Sequence, residues 1–198
     1  MLGSAAVAMW WNVAPEMRSE WEDWHSSEHM PERLAIPGFL RGTRWVAESG
    51  EPSYFICYEV ANLATITGGA YLERLNNPTP WSRKMMPHHL NMVRSLCLVR
   101  AGWGGGLPRV LATIRLSEGL PDLPRRKGLT GVHLLKSQPM PGVQTAEQKI
   151  RGGDRTADWV LLVGGYDVEA VKSVLDLQPD GIAGLYRPAY SLTSGDKP

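Results

Sequence analysis

The run Gly102–Pro108, with Gly104, Gly105 and Gly106 in succession near the middle of a 198-residue chain, constrains the fold more than any other feature of the sequence. Consecutive glycines lose the most backbone freedom on ordering and offer no side chain to pack, so neither helix nor strand runs through them easily. The segment therefore predicts two units, 1–101 and 109–198, joined by a linker at 102–108. Each is close to the size at which a small core still folds.

Hydrophobic period gives the order of elements in the first unit. Ala5–Val13 is a continuous apolar run, short enough for a strand buried on both faces. Pro15 then opens a helical pattern in which Met17, Trp21, Trp24 and Glu28 form one stripe, expected to end or restart at Pro31. Pro37 and Gly38 predict a turn, and Phe39–Ala47 with Ser53–Val60 a hairpin. Asn62 caps a helix over Leu63–Leu75, a short helix follows at Trp81–Met86, and Leu90–Arg100 is the fourth strand. After the glycines the order recurs more weakly. Strand Arg109–Leu116, a Pro-rich segment, strand Leu129–Ser137, strand Trp159–Tyr166, helix Val168–Leu177 and strand Ile182–Leu192 complete a second β-α-β-β-α-β unit. Pro139–Ala157 is long and polar, and is expected as a mobile lid or a disordered loop.

Composition removes several function classes. The formal net charge is +1, and the basic runs Arg83-Lys84 and Arg125-Arg126-Lys127 are too short for a phosphate-tracking surface, so no nucleic-acid partner is expected. No segment approaches the ~20 apolar residues of a membrane span. The two cysteines, Cys57 and Cys97, each fall in an apolar strand-like run and read as buried thiols of a reducing compartment, giving a cytoplasmic expectation. The sequence holds no P-loop, no G-x-S-x-G elbow and no G-x-G-x-x-G.

Four of the five histidines lie in two pairs, His25 with His29 and His88 with His89. His25-Ser26-Ser27-Glu28-His29 fits H-x-x-E-H, the spacing that places two zinc ligands and a base on one helical turn. A third ligand would have to come from Glu59, Glu73 or His88, and Pro31 argues against a long metal-bearing helix.

The wider window from Trp21 to Phe39, through Trp24, His29, Pro31 and Pro37-Gly38, resembles the dimeric α+β barrel superfamily, especially the EthD-like proteins. The resemblance covers Ala5 to Arg100 and fades beyond, where no second His-x-Pro occurs. It implies an α+β fold of two fused ferredoxin-like halves closing a barrel, with further association as a homodimer. It also implies a cleft between sheet and helices for a small hydrophobic or aromatic molecule. In that setting His29 is the first candidate for a general base, with Glu28 and Glu32 as orienting carboxylates, although a histidine at a helix end also serves to bond the last carbonyls. Trp21, Trp24, His25, Trp45, Tyr58, Trp81, Arg83 and His88 are the candidate pocket walls. The expected chemistry is proton transfer without an organic cofactor, by a lyase, isomerase, cyclase or cofactor-independent oxygenase. The alternatives are a haem or divalent-metal protein using His29, His88 or His133, and a ligand-binding accessory protein.

Overall fold

The computed structural model describes all residues except Pro121, Met140, Pro141, Val143, Gln178, Pro179, Lys197 and Pro198. Its eight strands are β1 (Ala5–Val13), β2 (Phe39–Ala47), β3 (Tyr54–Val60), β4 (His89–Gly104), β5 (Val110–Leu116), β6 (Leu129–Gln138), β7 (Trp159–Gly165) and β8 (Ile182–Thr193). They close an antiparallel barrel in the order β1-β3-β2-β8-β5-β7-β6-β4. Each half contributes its strands in the order fourth, first, third, second, and the halves meet along β2–β8 and β4–β6. The protein is an α+β barrel of two ferredoxin-like halves within one chain.

Alternation along β1 explains why its sequence is apolar throughout. Ala5, Val7, Met9, Trp11 and Val13 face the helices of the first half, while Ala6, Ala8 and Trp10 face the barrel interior. The interior draws on both halves, with Trp45, Phe55, Cys57 and Cys97 against Leu111, Leu135, Leu162 and Tyr186. Inside it the Trp10 indole donates to Thr113 Oγ1 at 3.0 Å, tying β1 to β5. Both cysteines are buried and free.

The first-half helices are α1 (Arg18–Trp24), a π-helical turn at His25–His29, α2 (Met30–Leu34), α3 (Leu63–Thr67), α4 (Gly69–Asn76) and α5 (Pro80–Met85). Of the two expectations at Pro31, an end or a restart, the structure shows the restart: α2 begins at Met30 with Pro31 in its first turn. The Met30 N–H reaches back five residues to the His25 carbonyl, and this widening of the ladder accepts the proline ring and its missing donor. Asn62 caps α3 as expected, through the Thr65 N–H at 3.2 Å, but the extended backbone at Gly68 splits the predicted helix into α3 and α4.

Three further expectations change. The linker is shorter than 102–108, because β4 runs on to Gly104 by pairing Gly102, Trp103 and Gly104 with His133, Val132 and Gly131. Sheet hydrogen bonds there outweigh the glycine penalty. The second half lacks a helix between β5 and β6 among the described residues; its one helix against the sheet is α7 (Val168–Leu175), capped by Asp167. Finally, the 139–157 segment is not a structureless loop. Met140, Pro141 and Val143 lie outside the described residues, but the remainder forms α6 (Ala146–Arg151), started by a capping box of Thr145 and Gln148. Helix α6 crosses over to pack beside α4 of the first half, with Ile150 against its core.

Candidate active site

Trp21, His25, His29 and Arg33 are spaced by four along one helical ridge and turn toward the outer face of β1, β3 and β4. The π-turn adjusts their rotation: Trp24 and His29, five residues apart, have ring centroids 4.4 Å apart. Trp21 stacks on His25 at 4.9 Å. Opposite them, Trp11 of β1 lies 4.8 Å from the ring of His89 at the start of β4. Tyr58, Tyr71, Met86 and Met92 complete the apolar part of the wall, and α6 closes the remaining side with Glu147 and Arg151. The enclosed cavity measures about 20 Å³, room for about one water molecule.

What sets this cavity apart is its unpaired polar atoms. Buried polar groups are nearly always hydrogen-bonded. Yet Trp11 Nε1, His25 Nδ1, His29 Nδ1, His89 Nδ1, Tyr58 Oη and Arg33 Nη1 all lack a partner, and all six residues line the same cavity. Their chemistry can be assigned. Trp21 Nε1 donates to His89 Nε2 at 2.6 Å, and an indole N–H only donates, so the proton of neutral His89 sits on Nδ1. The site thus offers fixed donors from Trp11, Arg33 and His89, a hydroxyl from Tyr58, and the Nδ1 atoms of His25 and His29, which accept in the tautomer protonated at Nε2.

Electrostatics keeps those imidazoles neutral. Burial, followed by the positive charges of Arg44 at His25 and of Arg33 at His29, holds both well below the ordinary histidine range; burial and Arg151 do the same at His89. Burial also pushes the Tyr58 hydroxyl up, so it stays protonated. His25 and His89 are buried, whereas His29 is only partly so and can exchange protons with solvent. Arg33 is buried too. Burial, the largest single influence, would weaken its charge, but Glu147, which accepts its Nη2–H, together with Tyr71 and Tyr58 more than offsets it.

The candidate residues divide accordingly. His25, His29 and Tyr58 line the cavity, while Trp21 and Trp24 pack directly behind the histidines. Glu28 does not orient His29; its carboxylate accepts from Trp24 Nε1 at 3.2 Å and Thr79 Oγ1 at 2.6 Å, bracing α5. Glu32 pairs with Arg74 at 3.2 Å, outside the cavity. Trp45 is on the other face of the sheet, inside the barrel, because its β2 position has the parity opposite to that needed. Trp81 donates to Glu20, and exposed Arg83 to the Pro78 carbonyl, so neither reaches the site. Of the second histidine pair it is His89, not His88, that enters, since strand alternation admits only one neighbour. Sequence reading missed Arg33 as a wall residue, although its place in the ridge of fours was available. It also missed Glu147, for which the only signal was the Thr145-x-x-Gln148 capping box.

The H-x-x-E-H residues do not assemble a metal site in this geometry. Glu28 of the H-x-x-E-H motif is committed to Trp24 and Thr79, His89 Nε2 is committed to Trp21, and no three metal-ligating side chains converge among the described residues.

Comparison with known proteins agrees with the fold. No family model matches the sequence, and no curated protein matches it. Among solved structures, the chain is similar to an anthrone oxidase-like protein, with a TM-score of 0.59 and 8% identity over 98% of this chain and 94% of that one. It is also similar to a "putative monooxygenase" from Lactobacillus acidophilus, with a TM-score of 0.52 and 10% identity over 97% of each chain. A "Putative Chlorite dismutase" gives a TM-score of 0.54 and 12% identity over 98% of this chain and 97% of that one. At these identities the likeness shows the fold alone, an α+β barrel that here has both halves in one chain. No helix among the described residues is long and apolar enough to cross a membrane.

Proposed function

We propose that the protein is a small-molecule enzyme that moves a proton on a hydrophobic or aromatic substrate, with His29 as the base and no organic cofactor. The observation that carries this reading is the convergence of six unpartnered buried polar atoms on one aromatic-walled cavity. A folded protein leaves such atoms unpaired where a ligand or transition state pairs them. Neutral His29 accepts a proton from an acidic C–H or O–H at Nδ1, then passes it to solvent on its exposed side. The negative charge left on the substrate oxygen faces Tyr58 Oη, Trp11 Nε1 and His89 Nδ1. A resonance-stabilised carbanion formed this way leads to isomerisation, elimination, cyclisation or reaction with dioxygen. The anthrone oxidase-like neighbour makes anthrones natural probes, since their ring C–H is acidic. The two free thiols inside the barrel support a cytoplasmic location. Barrel closure is intramolecular, so the proposed homodimer would form through an outer surface; native mass spectrometry reads it directly.

The test is solvent-deuterium incorporation into anthrone and its carboxylated derivatives, followed by mass spectrometry under anaerobic conditions. The wild-type protein accelerates exchange, and His29→Gln slows it by about 100-fold or more, the usual size of a general-base contribution. No acceleration by the wild type, or a stable His29→Gln protein at the full rate, overturns the reading.

A further inference from the structure

Among the described residues Glu147 is the one carboxylate that lines the cavity, and it comes from the other half of the chain. Its partner Arg33 is almost wholly inaccessible: the two side chains are 4% and 3% exposed. Arg33 uses Nη2 for Glu147 and leaves Nη1 without a partner. A guanidinium presents a planar fork that holds both oxygens of a carboxylate, so this pairing uses half of what the fork offers. Glu147 has a second attachment, a 3.5 Å contact with Arg151, but Arg151 is held independently by Asp154 at 2.8 Å. The cavity walls therefore carry three guanidiniums, from Arg33, Arg94 and Arg151, and the carboxylate of Glu147, while Asp154 pairs with Arg151 from outside the lining.

Beyond α6 lies an open groove of about 630 Å³, bordered by Gln148, Asp154, Lys136 and Trp159. Arg94 lines both this groove and the closed cavity, so the two are separated by little more than α6 and that side chain. A cavity of 20 Å³ admits no aromatic ring until the Glu147 side of α6 withdraws.

We infer that Arg33 is a carboxylate receptor and that Glu147 occupies it as an internal stand-in: the ligand is an aromatic carboxylate, which enters from the groove beside Arg94, displaces Glu147 from Arg33 and so opens the cavity. The inference deepens the reading of this cavity as a substrate site, by naming the group that anchors the substrate. Both Arg33 nitrogens are then used, and the ring lies against Trp11, Tyr58 and the histidines. A neutral molecule of the same shape cannot compete with Glu147 for a buried cation, and is excluded.

Isothermal titration with 2-naphthoate and its neutral isostere 2-naphthamide tests this without reference to catalysis. The wild-type protein binds the carboxylate at least 10-fold more tightly than the amide. Glu147→Gln, which removes the competing charge, tightens naphthoate by a further 10-fold or more, and Arg33→Gln erases the preference. His29→Gln keeps the preference for the carboxylate over the amide whatever it does to either affinity, so failure of the exchange assay with this preference intact counts against the base and not against the receptor. Equal wild-type affinities for the two probes, no binding of either, or a preference that survives Arg33→Gln overturns the inference. The wild-type comparison decides it even if a variant fails to fold.

Discussion

Acidification should unfold this protein through its histidines before its carboxylates titrate. In the native state burial keeps His25 and His89 unprotonated, while in the unfolded chain each recovers an ordinary pKa near 6.5. The unfolded state therefore binds more protons below neutrality, and stability falls as pH falls. For a ring that stays neutral in the folded protein, lowering the pH from about 7.5 to about 5.5 removes about 1.4 kcal/mol, so the two rings together remove about 2.7 kcal/mol. His29, partly exposed, adds a smaller amount of the same sign. So does His133, pulled down to about 4 by burial and then by the charges beside it. Typical domains hold ~5–15 kcal/mol in total, so the loss is large enough to read. Urea unfolding at the two pH values measures it. His25→Gln and His89→Gln should each remove about half of the 2.7 kcal/mol dependence, whatever they do to stability at neutral pH. A wild-type stability that is flat or rises toward acid would show that these rings are solvated or charge-paired in solution, and would remove the neutral-histidine premise of the proposed chemistry.

Three other perturbations follow from single contacts. Glu147→Ala strands a buried Arg33 charge and should cost about 3–5 kcal/mol in a denaturant melt, whereas the double variant Arg33→Met, Glu147→Ala should recover most of it. Trp21→Phe keeps the ring stacking on His25 but leaves His89 Nε2 without its donor, an expected loss of about 1–3 kcal/mol by the same measurement. At Gly104, φ is +71° and an added Cβ meets the Thr130 carbonyl oxygen, so Gly104→Ala should destabilise by more than about 1 kcal/mol and raise amide exchange at the β4–β6 end.

The parts of the fold legible in the sequence were those written in local period. The limits of β1 coincide with its apolar run and those of β2 with the first strand of the predicted hairpin, and the caps at Asn62 and Asp167 sit where their side chains satisfy helix amides. What escaped was non-local. Pro31 signals a stop in any short window, and only the widened turn at His25–His29 explains how the helix continues. Glycine at 102–104 signals a linker, until β6 supplies hydrogen bonds to that stretch. The site shows the same division. His25, His29 and Tyr58 are on elements whose facing could be read, whereas Trp45 differs from Tyr58 only by which side of a twisted, closed sheet it meets. Glu147 could not be placed at all, since its role depends on a crossing between halves 114 residues apart from Arg33.

That crossing also explains why one chain with two similar halves has one candidate site. The second half's outer face is filled by Val110, Ala112, Ile114, Leu134, Leu161, Val163, Val171 and Val174, and none of the unpartnered buried polar atoms found among the described residues lies there. Its counterpart face in the first half has histidine, tyrosine and arginine at comparable depth. An aliphatic face is stabilised by its own burial, at roughly 25 cal/mol per Å², and so can anchor the barrel while the polar face is left with unsatisfied donors. Among the described residues the second half has no helix between β5 and β6, and its α6, between β6 and β7, packs over the first half. This division of labour between the halves gives the polar cavity what one half alone lacks: a rigid partner beneath it and, in α6, a fourth wall whose carboxylate pairs with Arg33.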